Sequence, residues 1–171
     1  MAARAVYSVR FEGYGPGDSA LMVDCRTGDL ERMTAAVRRA LLDHGGRLGA
    51  TGSVAYLFRK VGLLEYFPAA APEPLVACAW EAGAEEVRVA ARGSTQVLTD
   101  PVELEAVRSR LGEAGYQPGR SEVTWHAAAT VELAGAEAIE LVRLIEALEA
   151  LEGIEAIYTN AEVAGEVLAR V

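Results

Sequence analysis

Apolar and polar positions alternate with two different periods along this chain, and the places where the period changes mark its elements. Val6 to Glu12 and Ala20 to Cys25 alternate as strands do, and "GYGPGDS" between them supplies the glycines and proline of a tight turn. A hairpin is expected there. From about Asp29 or Arg32 to His44 the spacing lengthens, with Met33, Val37, Ala40 and Leu41 on one helical face. Gly45 and Gly46 should stop this helix, one of them in the left-handed C′ position. Val54, Tyr56 and Phe58 alternate with smaller or polar neighbours, which predicts a strand over Ser53 to Arg59.

A further strand is expected over Gly62 to Phe67, followed by the connector "PAAAPEP". Pro74 suits the first turn of a helix reaching Ala82, whose inner face carries Leu75, Cys78, Ala79 and Ala82 and which Gly83 ends. Glu85 to Ala90 and Thr95 to Leu98 read as a second hairpin around "ARGS". In "DPVE", Asp100 stands as N-cap, Pro101 at N1 and Glu103 at N3 of a helix that buries Leu104, Val107 and Leu111 and closes at Gly115. Glu122 to His126 returns to a strand. The stripe Leu141, Leu144, Ile145, Leu148 and Leu151 predicts a helix from about Ala136 to Leu151, and Ile154 to Thr159 a last strand. The tail from Asn160 carries no readable pattern.

These elements predict an α+β protein. Residues 62–126 read β-α-β-β-α-β, the split βαβ or ferredoxin-like plan. Residues 1–61 and 127–171 each hold too few elements for a closed core, so they are expected to form one discontinuous domain of the same general kind around the insertion.

Composition narrows the function classes. With 51% hydrophobic residues over 171 positions, the chain can bury a core unaided. Its longest apolar runs are cut by Pro72, Glu73 and Glu81, and Met1 to Val9 lacks the apolar stretch of a secretory signal, so a cytoplasmic protein is expected. Cys25 and Cys78 show no metal or disulfide spacing and read as core, and His44 and His126 have no neighbour at ligand spacing. Neither a metal nor a cofactor is expected. Without a nucleophile beside a base, no enzyme emerges. A site in a cleft between the two α/β units is the remaining enzymatic reading, and nothing names its substrate.

Charge points elsewhere. The net charge of -9 argues against a surface that binds nucleic acid all over. Yet Arg26 to Lys60 holds seven basic residues against three acidic, a local +4 that leaves -13 for the rest. The stretch is either a solvated face or a binding patch. As a patch, its candidate contacts to nucleic acid or a partner are Arg26, Arg38, Arg39, Arg47, Arg59 and Lys60, joined by Thr51 and Ser53 in the loop "HGGRLGATGSVAY". Gly45, Gly46, Gly49 and Gly52 are that loop's turn residues. Because it follows the C-terminal end of a helix, where the dipole is negative, a nucleotide-phosphate cradle of the usual helix-start type is not expected.

The blocks "FEGYGPGDSALMVDC", "HGGRLGATGSVAYLFRK", "EAGAEEV", "TDPVELEAVRSRLGEAGY" and "IYTNAEV", in this order, resemble the YebC/PmpR family, which includes mitochondrial translational activators. The resemblance covers nearly the whole chain. It implies two α/β domains, one inserted in the other, behind a basic helical N-terminal domain that this chain is expected to lack, as a short form or truncated paralogue. It also implies a non-enzymatic DNA-binding transcriptional regulator or a factor acting on RNA or the ribosome in translation. A module that binds a full-length relative, another protein or its own copy, without touching nucleic acid or membrane, is the alternative.

Overall fold

The computed structural model describes residues 5–68, 72–89 and 93–163. The end of the expected strand at Ala90, the middle of the "PAAAPEP" connector, the first half of "ARGS" and the last residues of the tail lie outside them. The protein is a mixed α+β chain with two compact units, Met1–Phe58 together with Ala127–Val171, and Arg59–His126.

In the first unit, β1 (Tyr7–Tyr14) and β2 (Ala20–Thr27) pair antiparallel from Tyr7 opposite Thr27 to Tyr14 opposite Ala20. Asp29 caps α1 (Leu30–Asp43) by accepting from the Arg32 N–H at 3.1 Å, and Met33, Val37, Ala40 and Leu41 face inward. The two-residue β3 (Arg47–Leu48) pairs with Gly13 and Tyr14 of β1.

In the second unit, β4 (Phe58–Tyr66), α2 (Glu73–Ala82), β5 (Glu86–Val89), β6 (Thr95–Thr99), α3 (Leu104–Glu113) and β7 (Arg120–Ala127) follow one another. Their sheet runs β5-β6-β4-β7. Leu64, Tyr66 and Val97 pack against Leu75, Ala79, Val107 and Leu111 from the two helices, while Val61, Leu63 and Leu98 form a separate buried cluster. The chain then returns to the first unit through β8 (Val131–Leu133), α4 (Gly135–Glu149), β9 (Ile154–Thr159) and β10 (Ala161–Val163). The first sheet is ordered β3-β1-β2-β9, and β8 pairs with β10 in parallel. Its core gathers Phe11, Leu21, Val23 and Cys25 with Val37 and Leu41 from α1 and Leu141, Leu144 and Leu148 from α4.

One expected strand needs correction, the first turn after the Asp100 cap differs from the expected α-helix, and two strands had no signal in the sequence. Ser53 to Arg59 is not a strand: residues 51–54 turn, Ala55–Leu57 form a 3-10 turn, and a single strand, β4, takes in both Phe58 and the segment expected to start at Gly62. Within that stretch the Val54 and Ala55 N–H groups go to a side chain instead of a ladder, as described below. Asp100 caps a 3-10 turn, Pro101–Glu103, that leads into α3, accepting from the Val102 N–H at 2.9 Å. Finally, β8 and β10 are strands too short for any period to show.

Candidate functional site

The glycine loop starts where α1 stops. His44 is the cap, Gly45 takes the left-handed φ of +77°, and the Gly46 N–H reaches back to the Leu41 carbonyl at 2.7 Å. That bond spans the pattern of a Schellman ending, which satisfies a carbonyl the helix leaves over. A Cβ on Gly46 would run into the Tyr14 carbonyl, so only glycine lets the chain pass so near β1. After β3, the Gly49 N–H donates to the Glu12 carbonyl at 2.8 Å.

The loop then closes around the Glu12 side chain. Gly52 N–H donates to Oε2 at 2.6 Å, and Ala55 and Val54 N–H donate to Oε1 at 2.6 and 3.1 Å. Gly52, at φ +87°, gives the backbone the turn that aims its N–H inward. Successive amides converging on one anion form a nest. The loop is thus an anion cradle, and its anion is a carboxylate of the same chain, only 4% exposed. Burial alone pushes the Glu12 carboxyl up, but the donated hydrogen bonds from Gly52, Ala55 and Val54, helped by the Arg10 charge, hold it below the usual carboxylate range.

The charge beside it is also engaged. Arg10 makes a two-pronged pair with Asp24 across β1 and β2, Nε to Oδ1 at 2.7 Å and Nη2 to Oδ2 at 2.9 Å. The hydrogen bonding that Arg10 donates to Asp24 raises the arginine above its ordinary value, against the cost of burial. Neither Glu12 nor Arg10 stands out by residue type alone. The available signal was a carboxylate inside a stretch, "RFEGYG", that otherwise reads as a buried strand.

The candidate cations are dispersed. Arg26 lies opposite Ser8 at one end of the β1–β2 ladder, and Arg47 opposite Tyr14 at the other, roughly 20 Å along a strand rising about 3.4 Å per residue. Arg38 and Arg39 are exposed on α1, and Arg59 and Lys60 are exposed on β4 in the other unit. Several meet carboxylates: Arg26 with Glu155 at 3.6 Å, Arg39 with Asp43 at 3.4 Å, Arg47 with Asp18 at 3.9 Å, and Arg59 with Glu85 at 2.9 Å. Arg47 also lies over the Tyr14 ring, 4.5 Å from its centroid. Thr51 is exposed at the loop's tip, whereas Ser53 is half-buried with its Oγ enclosed.

Two further features are present. Large apolar side chains stand in solvent, notably Tyr56 on the 3-10 turn after the loop, Phe67 after β4 and Trp80 on α2. An open groove of about 970 Å³ in the first unit is lined by Tyr7, Arg26, Arg32, Met33, Leu151 and Gly153, among others. Among the described residues no three His, Cys, Asp or Glu side chains come together as a metal site, and no helix is long and apolar enough to cross a membrane.

The geometry defines a two-unit α+β protein whose glycine loop is locked on an internal carboxylate. The chain belongs to the TACO1/YebC family: the model of that family's second and third domain matches residues 6–161. It is 42% identical over 96% of its length to a probable transcriptional regulatory protein of Halorhodospira halophila, and 47% identical over 94% to one of Thioalkalivibrio sulfidiphilus. It spans 66% and 64% of the length of those relatives. A crystal structure of a conserved hypothetical protein from Aquifex aeolicus is similar to it with a TM-score of 0.79 at 34% identity, over 98% of this chain and 70% of that one.

Proposed function

We infer that this chain is a non-enzymatic regulatory protein that acts in the cytoplasm, in transcription or translation, by contacting nucleic acid or a ribonucleoprotein. The observation that carries this reading is its likeness, over nearly its full length, to relatives named probable transcriptional regulatory proteins. The strand order β5-β6-β4-β7, with α2 and α3 as crossovers, fits the split βαβ plan for the inserted unit, a scaffold that offers surfaces and loops rather than a fixed chemistry. From His44 to Leu64 the chain carries Arg47, Arg59 and Lys60 and no acidic residue, the longest acid-free stretch within a chain of net charge -9. That stretch is where phosphates would meet least repulsion.

Titration of the protein against random-sequence DNA, RNA and ribosomes at low and high salt tests the reading. Phosphate contacts predict affinity that falls steeply with salt, and charge reversal at Arg47 and Lys60 should lower it at low salt. Unchanged binding in the reversed variant would reduce the basic stretch to solvated surface.

A second reading is favoured by one observation: four of the candidate arginines already meet carboxylates, while Tyr56, Phe67 and Trp80 are exposed. In it the chain docks on another protein through apolar side chains. Absence of nucleic-acid binding at low salt, together with a salt-insensitive protein complex, would select it.

A further inference from the structure

Tyr56 is 78% exposed, although it sits in the best-anchored part of the glycine loop. Val54 before it is fully buried and Phe58 after it is nearly so. The amides of Val54 and Ala55 are fixed on the Glu12 carboxylate, and the Leu57 N–H closes the 3-10 turn on the Val54 carbonyl at 2.9 Å. A ring in solvent contributes little to a core, yet the backbone beneath it is held on both sides. Such an arrangement presents an aromatic face in a fixed direction at small entropic cost on binding.

We propose that Tyr56 is a stacking platform for an unpaired base of single-stranded nucleic acid, with the Glu12-locked loop as its mount. The proposal rests on the nucleic-acid reading above and assigns that reading a residue. Charge favours a polyanion here, and the exposed ring favours one with unpaired bases over an acidic protein surface or a duplex. No Asp or Glu lies between His44 and Leu64, and Glu12, around which the loop closes, is turned inward with its charge taken up by amides; Asp18, exposed and 3.9 Å from Arg47, is the carboxylate a phosphate would displace. Arg47, in the same loop and exposed, can meet a phosphate next to the stacked base. A duplex keeps its bases stacked on one another, whereas a single strand offers each base a free face.

The experiment uses the full chain and a fluorescein-labelled oligouridylate of about a dozen nucleotides, a length suited to one stacking groove. Its arms are the wild type, Tyr56→Ala, Tyr56→Phe and Arg47→Glu, each first shown to melt as the wild type does. Tyr56→Ala should weaken binding by roughly ten-fold or more, the loss expected when one base–aromatic stack is removed. Tyr56→Phe should retain nearly all the affinity, because stacking needs the ring and not the hydroxyl. The slope of affinity against salt should stay the same in Tyr56→Ala and become shallower in Arg47→Glu, since only the latter loses a phosphate contact. Duplex RNA of equal length should not distinguish Tyr56→Ala from wild type. Equal affinity of Tyr56→Ala and wild type for the single strand, with Arg47→Glu still weaker, would overturn the platform and leave the nucleic-acid reading standing. No binding of the wild type at low salt would overturn both.

Discussion

Glu12 is the residue on which the loop depends, and its energetics have a definite sign. Its carboxyl is held below the ordinary range in the folded protein, by three N–H donors that outweigh burial. A carboxyl with a depressed folded value contributes stability that is fully present above its unfolded value, near 4.3, and that is lost as pH falls through the folded value. Glu12→Gln keeps the shape but puts an N–H₂ where one of the two oxygens accepts, leaving buried amides without a partner. It should lower stability at neutral pH by about 2 kcal/mol, and the loss should shrink toward acid pH, where the wild type gives up the same contribution. Denaturant melts of both proteins at neutral and acid pH check this, and a loss that does not vary with pH would mean the charge of Glu12 is idle. Gly45 and Gly46 separate by a different argument. Gly45 is left-handed and a Cβ there would make only an ordinary contact with Pro16 Cγ at 3.9 Å, so Gly45→Ala should cost about 1 kcal/mol in backbone strain. Gly46→Ala should cost more, because its Cβ meets the Tyr14 carbonyl, a backbone atom that cannot swing away. Thermal unfolding of the pair should rank them in that order.

At the scale of elements, the periodic segments were legible and the segments fixed by distant partners were not. The stripes of α1 and α4, the Asp100 cap and the helix-ending glycines at 83 and 115 all follow from residue type and spacing. Residues 53–57 misled because Val54, Tyr56 and Phe58 mimic strand alternation, while the amides between them bond a carboxylate about forty positions earlier in the chain. Local pattern carries no sign of such a partner. The parallel pair β8–β10 is three residues on each side, too short to show a period. The turn glycines of the candidate site were likewise readable, but the placement of its cations was not. Strand direction decides that Arg26 and Arg47 fall at opposite ends of one ladder, and direction is a tertiary fact. Asp29 caps α1 through its side chain at an exposed site, so Asp29→Ala should destabilise the protein by about 1 kcal/mol, seen as a lower denaturation midpoint with unchanged slope. No change would mean that α1 is held by its packed face alone.

At the scale of the whole molecule, the division into two units is a claim about which contacts are self-sufficient. The second unit has its own buried set, Leu64, Tyr66 and Val97 of the sheet against Leu75, Ala79, Val107 and Leu111 of two helices, and its sheet order closes within residues 58–127. An excised fragment of those residues should therefore fold cooperatively, with the modest stability of a domain that buries only about 60% of its unfolded surface. Tyr66 supplies the reporter. Its ring is buried and its hydroxyl has no hydrogen-bond partner among the described residues, and burial pushes its ionisation up to about 12. A tyrosine raised in this way adds stability that is whole below its unfolded value, about 10, and is lost as pH rises toward 12. The fragment carries Tyr66 and Tyr116 as its tyrosines. If it folds as in the full chain, an ultraviolet titration should show one of them ionising late, and the melting temperature should fall over the same interval. In Tyr66→Phe both signals should vanish while stability at neutral pH is kept or rises slightly, since the variant loses an unsatisfied hydroxyl and keeps the ring. Loss of the late Tyr66 ionisation, together with a broad non-cooperative melt, would show that the inserted unit depends on the rest of the chain for its core.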